Sequence, residues 1–245
     1  MGDCIRAFLP ERSLLAGIGA PRKIRIVKIA ILGTGIVGAT LGTKLLEQKQ
    51  EVMMGSRTAH SDVARKWLES VGGNGQIGTF AEAAAFGDIV FDCTNGANSL
   101  AALRLAGAEN LGHKILIQVG NPLDFSKGMP PSLTVCNTDS LGEQTQREFP
   151  DARVVKALNT VNCEVMINPA RIPGDHALPI CGNDAEAKKE VAANLSEWFG
   201  WKPSNIVDLG DITGARGTEM YLPLWLRLWG AVGTPVFNIQ LARER

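Results

Sequence analysis

Short apolar runs alternate along this chain with segments whose apolar residues recur every three or four positions. The run Val27-Lys28-Ile29-Ala30-Ile31-Leu32 is rich in β-branched residues, too short for a helix, and closed by Gly33, which predicts a strand. Residues 36–50 follow with a stripe at Val37, Leu41, Leu45 and Leu46, which predicts a helix. A short strand over 51–54, a polar turn at Gly55-Ser56-Arg57 and a helix over 61–71 come next. The same reading gives a helix over 80–86, a strand over 88–93, a helix over 99–106 and a strand over 114–119. Apolar runs at 153–158 and 177–181 predict two more strands, each followed by a helical segment. The second of these helices, 184–198, starts at the Asn183/Asp184 cap region and stops at Gly200. Such alternation predicts an α/β fold with a doubly wound parallel sheet.

From residue 211 the alternation stops. Residues 218–229 predict a helix, and a shorter one follows Thr234-Pro235. The first carries Leu222, Trp225, Leu226, Leu228 and Trp229, so it is apolar nearly all round and must be buried on more than one side. It packs under the sheet, meets a second subunit, or does both. A membrane span is a poor alternative, because Pro223, Arg227, Pro235 and Asn238 interrupt the stretch and a charge at a bilayer centre costs about 2.5 kcal/mol or more. The chain therefore divides into an extension over 1–26, a domain of alternating strands and helices over 27–210 and a helical segment over 211–245.

Composition narrows the function. Twenty-five basic and 25 acidic residues in 245 give a net charge of zero, which argues against sequence-independent nucleic-acid binding. Five widely spaced cysteines without a C-x-x-C, and three single histidines, fit neither a disulfide framework nor a metal site. In the extension, Asp3 and Glu11 break the basic character of a transit peptide, no apolar stretch makes a signal sequence, and Arg6 stands where myristoylation needs Ser or Thr. A poorly ordered extension, or an upstream start, and a cytoplasmic protein are expected.

The chemistry concentrates at Gly33-Thr34-Gly35-Ile36-Val37-Gly38, a G-x-G-x-x-G that closes the first strand and opens the first helix. In that context Gly33 permits the tight turn, Gly35 lets the backbone approach a pyrophosphate, and Gly38 lets the helix lie against the strand. The helix start offers N–H groups and a positive dipole end to phosphates. An NAD site places an acid at the end of the second strand; Ser56-Arg57 stands there instead. A hydroxyl and a guanidinium suit a 2′-phosphate, which predicts NADP(H), although Arg57 also reads as a solvated turn residue. Asn121-Pro122 and Asn159-Thr160 follow strands at their carboxyl ends, where open sheets bind ligands. Their amides could hold a nicotinamide carboxamide or a substrate carbonyl, or simply cap loops. Cys93 reads as a small buried residue.

These residues, with VVKALNT at 154–160 and PICGNDAEAKKEV at 179–191, resemble the NADPH-dependent reductases of coenzyme F-420, an 8-hydroxy-5-deazaflavin. The cytosolic oxidoreductase domain of the six-transmembrane metalloreductases looks similar over the same stretches. The resemblance spans 27 to about 228 and implies a Rossmann-type fold. It puts the phosphate loop on 33–38 with Thr34 near the cofactor, and the 2′-phosphate clamp on Ser56 and Arg57. It also implies that Cys93, Thr94 and Asn95 line the cofactor, and that Ala157 to Asn159 lie at the nicotinamide. A deazaflavin or flavin acceptor then stacks between this face and the carboxyl-terminal helices, through which members form homodimers. Two departures stand out. The archaeal deazaflavin reductases carry a lysine after the Gly-Ser-Arg turn, where this chain has Thr58-Ala59-His60-Ser61, and a histidine where it has Asn159.

Hydride transfer between stacked rings asks the protein to hold the reacting carbons about 3–3.5 Å apart and exclude water, with no general acid or base. Two alternatives remain open. One is reduction of a small imine or carbonyl compound, with Thr160, Glu219 or Tyr221 as proton donor. The other is a dinucleotide-binding module without turnover.

Overall fold

The computed structural model describes residues 25–242 and 244, so the first 24 residues of the predicted extension lie outside it. The strands among the described residues are β1 (Lys28–Leu32), β2 (Glu51–Ser56), β3 (Gln76–Thr79), β4 (Ile89–Asp92), β5 (Ile115–Gln118), β6 (Leu123–Asp124), β7 (Ser132–Leu133), β8 (Arg153–Lys156), β9 (Leu178–Gly182) and β10 (Ile206–Asp208). The helices are α1 (Ile36–Glu47), α2 (Asp62–Ser70), α3 (Phe80–Phe86), α4 (Ser99–Ala106), α5 (Ala108–Leu111), α6 (Leu141–Glu148), α7 (Cys163–Ile167), α8 (Ala185–Phe199) and α9 (Ala215–Val232).

Eight strands form one sheet in the order β10-β9-β8-β5-β4-β1-β2-β3, while β6 and β7 make a separate antiparallel ribbon. Strand order reverses between β1 and β4, and all pairs from β3 to β8 are parallel. The crevice at that reversal is where such sheets take ligands. Side chains alternate across the strands. Ile29 and Ile31 join a core with Leu41, Leu45, Trp67 and Leu195, while Ala30 and Leu32 face Phe80, Ala83, Leu103 and Phe149 on the other side. Helices thus cover both faces, as a buried parallel sheet requires.

Most predicted elements are present; α5, α6, β6, β7 and β10 were not predicted, and four further differences bear on the sheet and the tail. β2 runs on to Ser56, because Gly55 pairs with both Leu32 and Gly78, so the turn begins only at Arg57. β3, which completes that pairing, was not predicted. β9 lies antiparallel to β8, so the sheet is not wholly parallel. The connection keeps to one end of the sheet: its helix α7 has five residues, about 8 Å, and does not carry the chain back, so β9 starts from the end at which β8 stops. The 15-residue α8 can make that return, and β10 is parallel to β9. Last, no helix follows Thr234-Pro235. There the chain is captured by tertiary partners: Ala177 N donates to the Ile239 carbonyl (3.0 Å), and Asn238 Nδ2 lies 2.9 Å from His176 Nδ1 and donates to the Ala177 carbonyl (2.8 Å).

α9 is longer than predicted at both ends. It buries Thr218, Glu219, Leu222 and Trp225, while Met220, Leu224, Trp229 and Val232 remain exposed. No helix among the described residues is long and apolar enough to cross a membrane.

Candidate functional site

The glycine-rich turn is built by two close approaches, at Gly33 and Gly38, and one open position, at Gly35. Gly33 has φ +117°, and a Cβ there would stand 2.8 Å from the Cys93 carbonyl oxygen, so the turn presses against the exit of β4. A Cβ on Gly38 would stand 2.2 Å from the Gly33 carbonyl oxygen, which is what lets α1 begin flush with β1. A Cβ on Gly35 would meet nothing within 4 Å. Gly35 is the N-cap of α1, and no side chain caps that end. The first N–H groups of a 12-residue helix therefore face open space beside an absent side chain, the shape and polarity a diphosphate needs.

At the end of β2, Ser56 is buried and its Oγ donates to the Thr58 carbonyl (2.5 Å). Arg57 is exposed and makes no ion pair or side-chain hydrogen bond among the described residues. Its planar fork of donors is therefore free to meet an anion.

A cavity of about 540 Å³ opens beside the glycine turn, within the size range of small-molecule sites. Its walls come from the carboxyl ends of four strands, with the start of α1 among them, and from two further helices. Ile36 and Val37 enter after β1, Cys93, Thr94 and Asn95 after β4, Gly120 and Asn121 after β5, and Asn159 to Asn162 after β8. Cys163 and Met166 of α7, and Leu222, Trp225, Leu226 and Trp229 of α9, close it. Among the described residues no charged side chain lines it. Thr34 lines a neighbouring hollow with Thr40 and Thr43. Pro122 and Ala157 are buried outside the wall: the Pro122 carbonyl accepts from Thr134 N (2.7 Å), and Ala157 belongs to the core.

Asn121 and Asn159 hold each other. Asn121 Nδ2 donates to the Asn159 carbonyl (2.9 Å), and Asn159 Nδ2 donates to Asn121 Oδ1 (3.0 Å). This leaves Asn159 Oδ1 buried and without a partner, together with Thr160 Oγ1 next to it. Buried acceptors are rarely left unpaired in a folded chain, so their presence in a cavity wall is a sign of a ligand. Leu158, just before, is held at φ +65°, a conformation costly for a side chain of this size and frequent where backbone is shaped for function.

Beneath the cavity lies a buried polar network. Asp92 accepts from Thr94 N (3.1 Å), Thr94 Oγ1 (2.6 Å) and Ser99 Oγ, and so shapes the loop after β4. Lys156 is fully buried; its Nζ pairs with Glu219 Oε1 (2.7 Å) and donates to the Gly120 carbonyl (2.6 Å) and to Gln118 Oε1. Glu219 also accepts from Leu141 N (2.9 Å) and Gly142 N (3.0 Å) at the start of α6. The expectation of Glu219 as a proton donor is therefore corrected, because its carboxylate is committed to an ammonium and two backbone N–H groups. Tyr221 is half-buried and off the cavity wall, and burial pushes its hydroxyl up from the ordinary phenol range. Thr160 alone of the three lines the cavity. Burial, with the Asp92 charge adding to it, pushes the Cys93 thiol well above its ordinary range, so it is no thiolate nucleophile.

Asp92, Gln118, Lys156 and Gly120 were not singled out from sequence. A signal was there: each polar side chain of the set sits within an otherwise apolar strand run, VFDC, ILIQV and VVKAL.

A family model for NADP oxidoreductases dependent on coenzyme F-420 matches residues 28–122. The chain is 29% identical over 211 residues to the F-420-dependent NADP reductase of Methanocaldococcus jannaschii, covering 82% of this chain and 92% of that protein. It is 27% identical over 204 residues to metalloreductase STEAP3 of Rattus norvegicus, spanning 81% of this chain and 38% of the longer protein. A crystal structure from Arthrobacter sp. FB24, provisionally described as an F-420-dependent NADP reductase, superimposes with a TM-score of 0.83 at 50% identity. That match covers 89% of this chain and all of the other. A reductive aminase from Aspergillus terreus superimposes at 0.61 with 16% identity, covering 85% of this chain and 63% of that one, and shares the fold alone.

Proposed function

As the chain belongs to the family of NADP oxidoreductases dependent on coenzyme F-420, we propose that it transfers a hydride between NADPH and coenzyme F-420, a flavin being the second candidate acceptor. The observation that carries this is a juxtaposition. The uncapped start of α1 beside Gly35, the unpartnered Arg57 at the end of β2, and an uncharged cavity with an orphaned Asn159 Oδ1 all meet at the carboxyl ends of adjoining strands.

Gly33 to Gly38 hold the diphosphate through backbone N–H groups. Ser56 and Arg57 hold the 2′-phosphate, which selects NADP(H) over NAD(H). Thr94 and Asn95 border the nicotinamide, and Asn159 Oδ1, buried and lacking a donor, accepts from the carboxamide while Asn121 fixes its orientation. When bound, NADPH supplies the hydride and leaves as NADP⁺, and the acceptor takes up that hydride with one proton. The protein's share is placement: Trp225, Leu222 and Leu226 press a planar acceptor against the nicotinamide side and keep water out. No general acid is needed, and none converges on the cavity. The exposed apolar face of α9, with Met220, Leu224 and Val232, suits a second copy of the chain, so a homodimer in the cytoplasm completes the reading. Conversion of Leu224→Glu to a monomer in sedimentation would support that pairing, and an unchanged mass would refute it.

Stopped-flow oxidation of NADPH against coenzyme F-420, FMN, FAD and a panel of imines and carbonyls tests the function. Rapid oxidation by F-420 is expected. Oxidation by an imine or carbonyl alone would move the assignment to that class, and oxidation by none of them would remove it.

A further inference from the structure

The buried network reaches the cavity walls formed after β4, β5 and β8 and by α9, and its charged side chains do not line the cavity. Asp92 orders the loop after β4, and Gln118 bridges to it, its Nε2 lying 3.4 Å from Asp92 Oδ2. Gln118 Oε1 and the Gly120 carbonyl receive two of the three donors of Lys156, which fixes the backbone that leads into Asn121. Lys156 stands three residues before Asn159 on the same chain segment. Its third donor reaches Glu219 on α9, one turn before Leu222 and on the same buried face as Trp225. The start of α6 is tied in through Leu141 and Gly142. The pair therefore joins the wall that carries Asn121 and Asn159 to the opposite wall, which carries Trp225.

An ion pair with side chains 0% and 1% exposed is a poor device for stability alone, since apolar residues of similar volume serve as well or better at such places. It does have direction and fixed length, which apolar packing lacks. We propose that Lys156 and Glu219 are positioning residues that set the separation between the Asn159 wall and α9, and through it the distance over which the hydride passes. Neither touches the reactants. Weakening the pair lets α9 drift while the glycine turn and the Ser56–Arg57 corner, which hold the nucleotide, stay as they are.

The kinetic arm rests on the hydride-transfer function proposed above; a second arm does not. The variant is Lys156→Met with Glu219→Gln, which removes both charges together and leaves a carbonyl oxygen for the start of α6. Glu219→Gln alone, which keeps an acceptor beside the ammonium but leaves its charge buried without a carboxylate, is the second variant, read by the same measurements should the double variant fail to fold. NADPH affinity by fluorescence titration is expected within about threefold of the parent, whereas the single-turnover rate with coenzyme F-420 falls about 100-fold for the double variant, the scale of a misplacement near 1 Å. Amide exchange across α9 quickens at the same time, and that readout needs no acceptor. Failure of the parent itself to reduce F-420 would count against the proposed function and leave the exchange arm to decide this one. An unchanged α9 exchange profile, a rate within about threefold of the parent, or NADPH affinity falling in step with the rate would each overturn the positioning role.

Discussion

Gly35 and Gly38 are three residues apart and answer to different neighbours. Gly38 is required by the protein itself, because its Cβ would collide with a backbone oxygen that cannot swing aside. Gly38→Ala is expected to lower stability by about 1–3 kcal/mol, read from the urea midpoint. Gly35 has open space where its Cβ would be, so Gly35→Ala is expected to leave the urea midpoint unchanged and to weaken NADPH about tenfold or more in a fluorescence titration. A midpoint that falls with Gly35→Ala would show that the glycine serves the fold. Arg57 makes a parallel case one strand away. Arg57→Ala should weaken NADPH roughly 10- to 100-fold, the worth of hydrogen bonds to a charged group, and leave NADH binding as it was. Equal losses for both nucleotides would put recognition of the extra phosphate elsewhere. These residues stand out in the sequence because the local chain marks them: a glycine hexamer between strand and helix, and no acid at the end of the next strand. Lys156 and Glu219 do not, since a pair joined across 63 positions (219 − 156) leaves no local trace beyond a charge in an apolar run.

Elements were readable to the extent that local chemistry bounds them. α3 falls on residues 80–86 as predicted, because Thr79 and Glu82 form a reciprocal cap: Thr79 Oγ1 accepts from Glu82 N (3.2 Å), and Glu82 Oε2 accepts from Thr79 N (2.7 Å). α8 stops at Gly200, which is left-handed at φ +83°. The direction of β9 was not readable, since the connection between β8 and β9 is long enough for either direction and its path is set by tertiary packing. Nor was the path of the tail, whose hydrogen bonds go to His176 and Ala177 some 60 residues away. That tail matters to the site: Phe237 stacks on Trp225 with ring centroids 5.3 Å apart, behind the cavity wall. Asn238→Ala removes the clasp on His176 and the Ala177 carbonyl. Stability is expected to fall by about 1–3 kcal/mol in urea unfolding, with acceptor KM rising more than NADPH affinity changes. An unaltered KM would mean that the tail does not brace Trp225.

The whole molecule carries a pH dependence that starts around α6. The Arg147 guanidinium holds the Asp139 carboxyl far below the usual carboxylate range, and Arg216 holds Glu143 below its own. A folded chain whose carboxyls are depressed binds fewer protons than the unfolded chain near the ordinary value of about 4. Their contribution is thus complete at neutral pH and is lost progressively below about pH 5, reduced at Asp139 by its partial exposure to solvent. Urea midpoints measured from pH 7 to 3 are expected to fall steadily, and less steeply for Asp139→Asn with Glu143→Gln. A variant slope equal to the parent's would assign acid sensitivity to other groups. At this scale the doubly wound sheet was visible in the sequence, whereas the cavity was reached only through the family resemblance, because α9 and the loops after β4, β5 and β8 meet only in three dimensions. The central claim is direct passage of hydride from a nucleotide held at Ser56–Arg57 to a planar acceptor under Trp225. Its sharpest test is a single turnover with NADPH carrying deuterium at the transferring position, coenzyme F-420 as acceptor, and mass analysis of the product. Deuterium on the reduced acceptor is predicted, and a product labelled only from solvent would contradict the account.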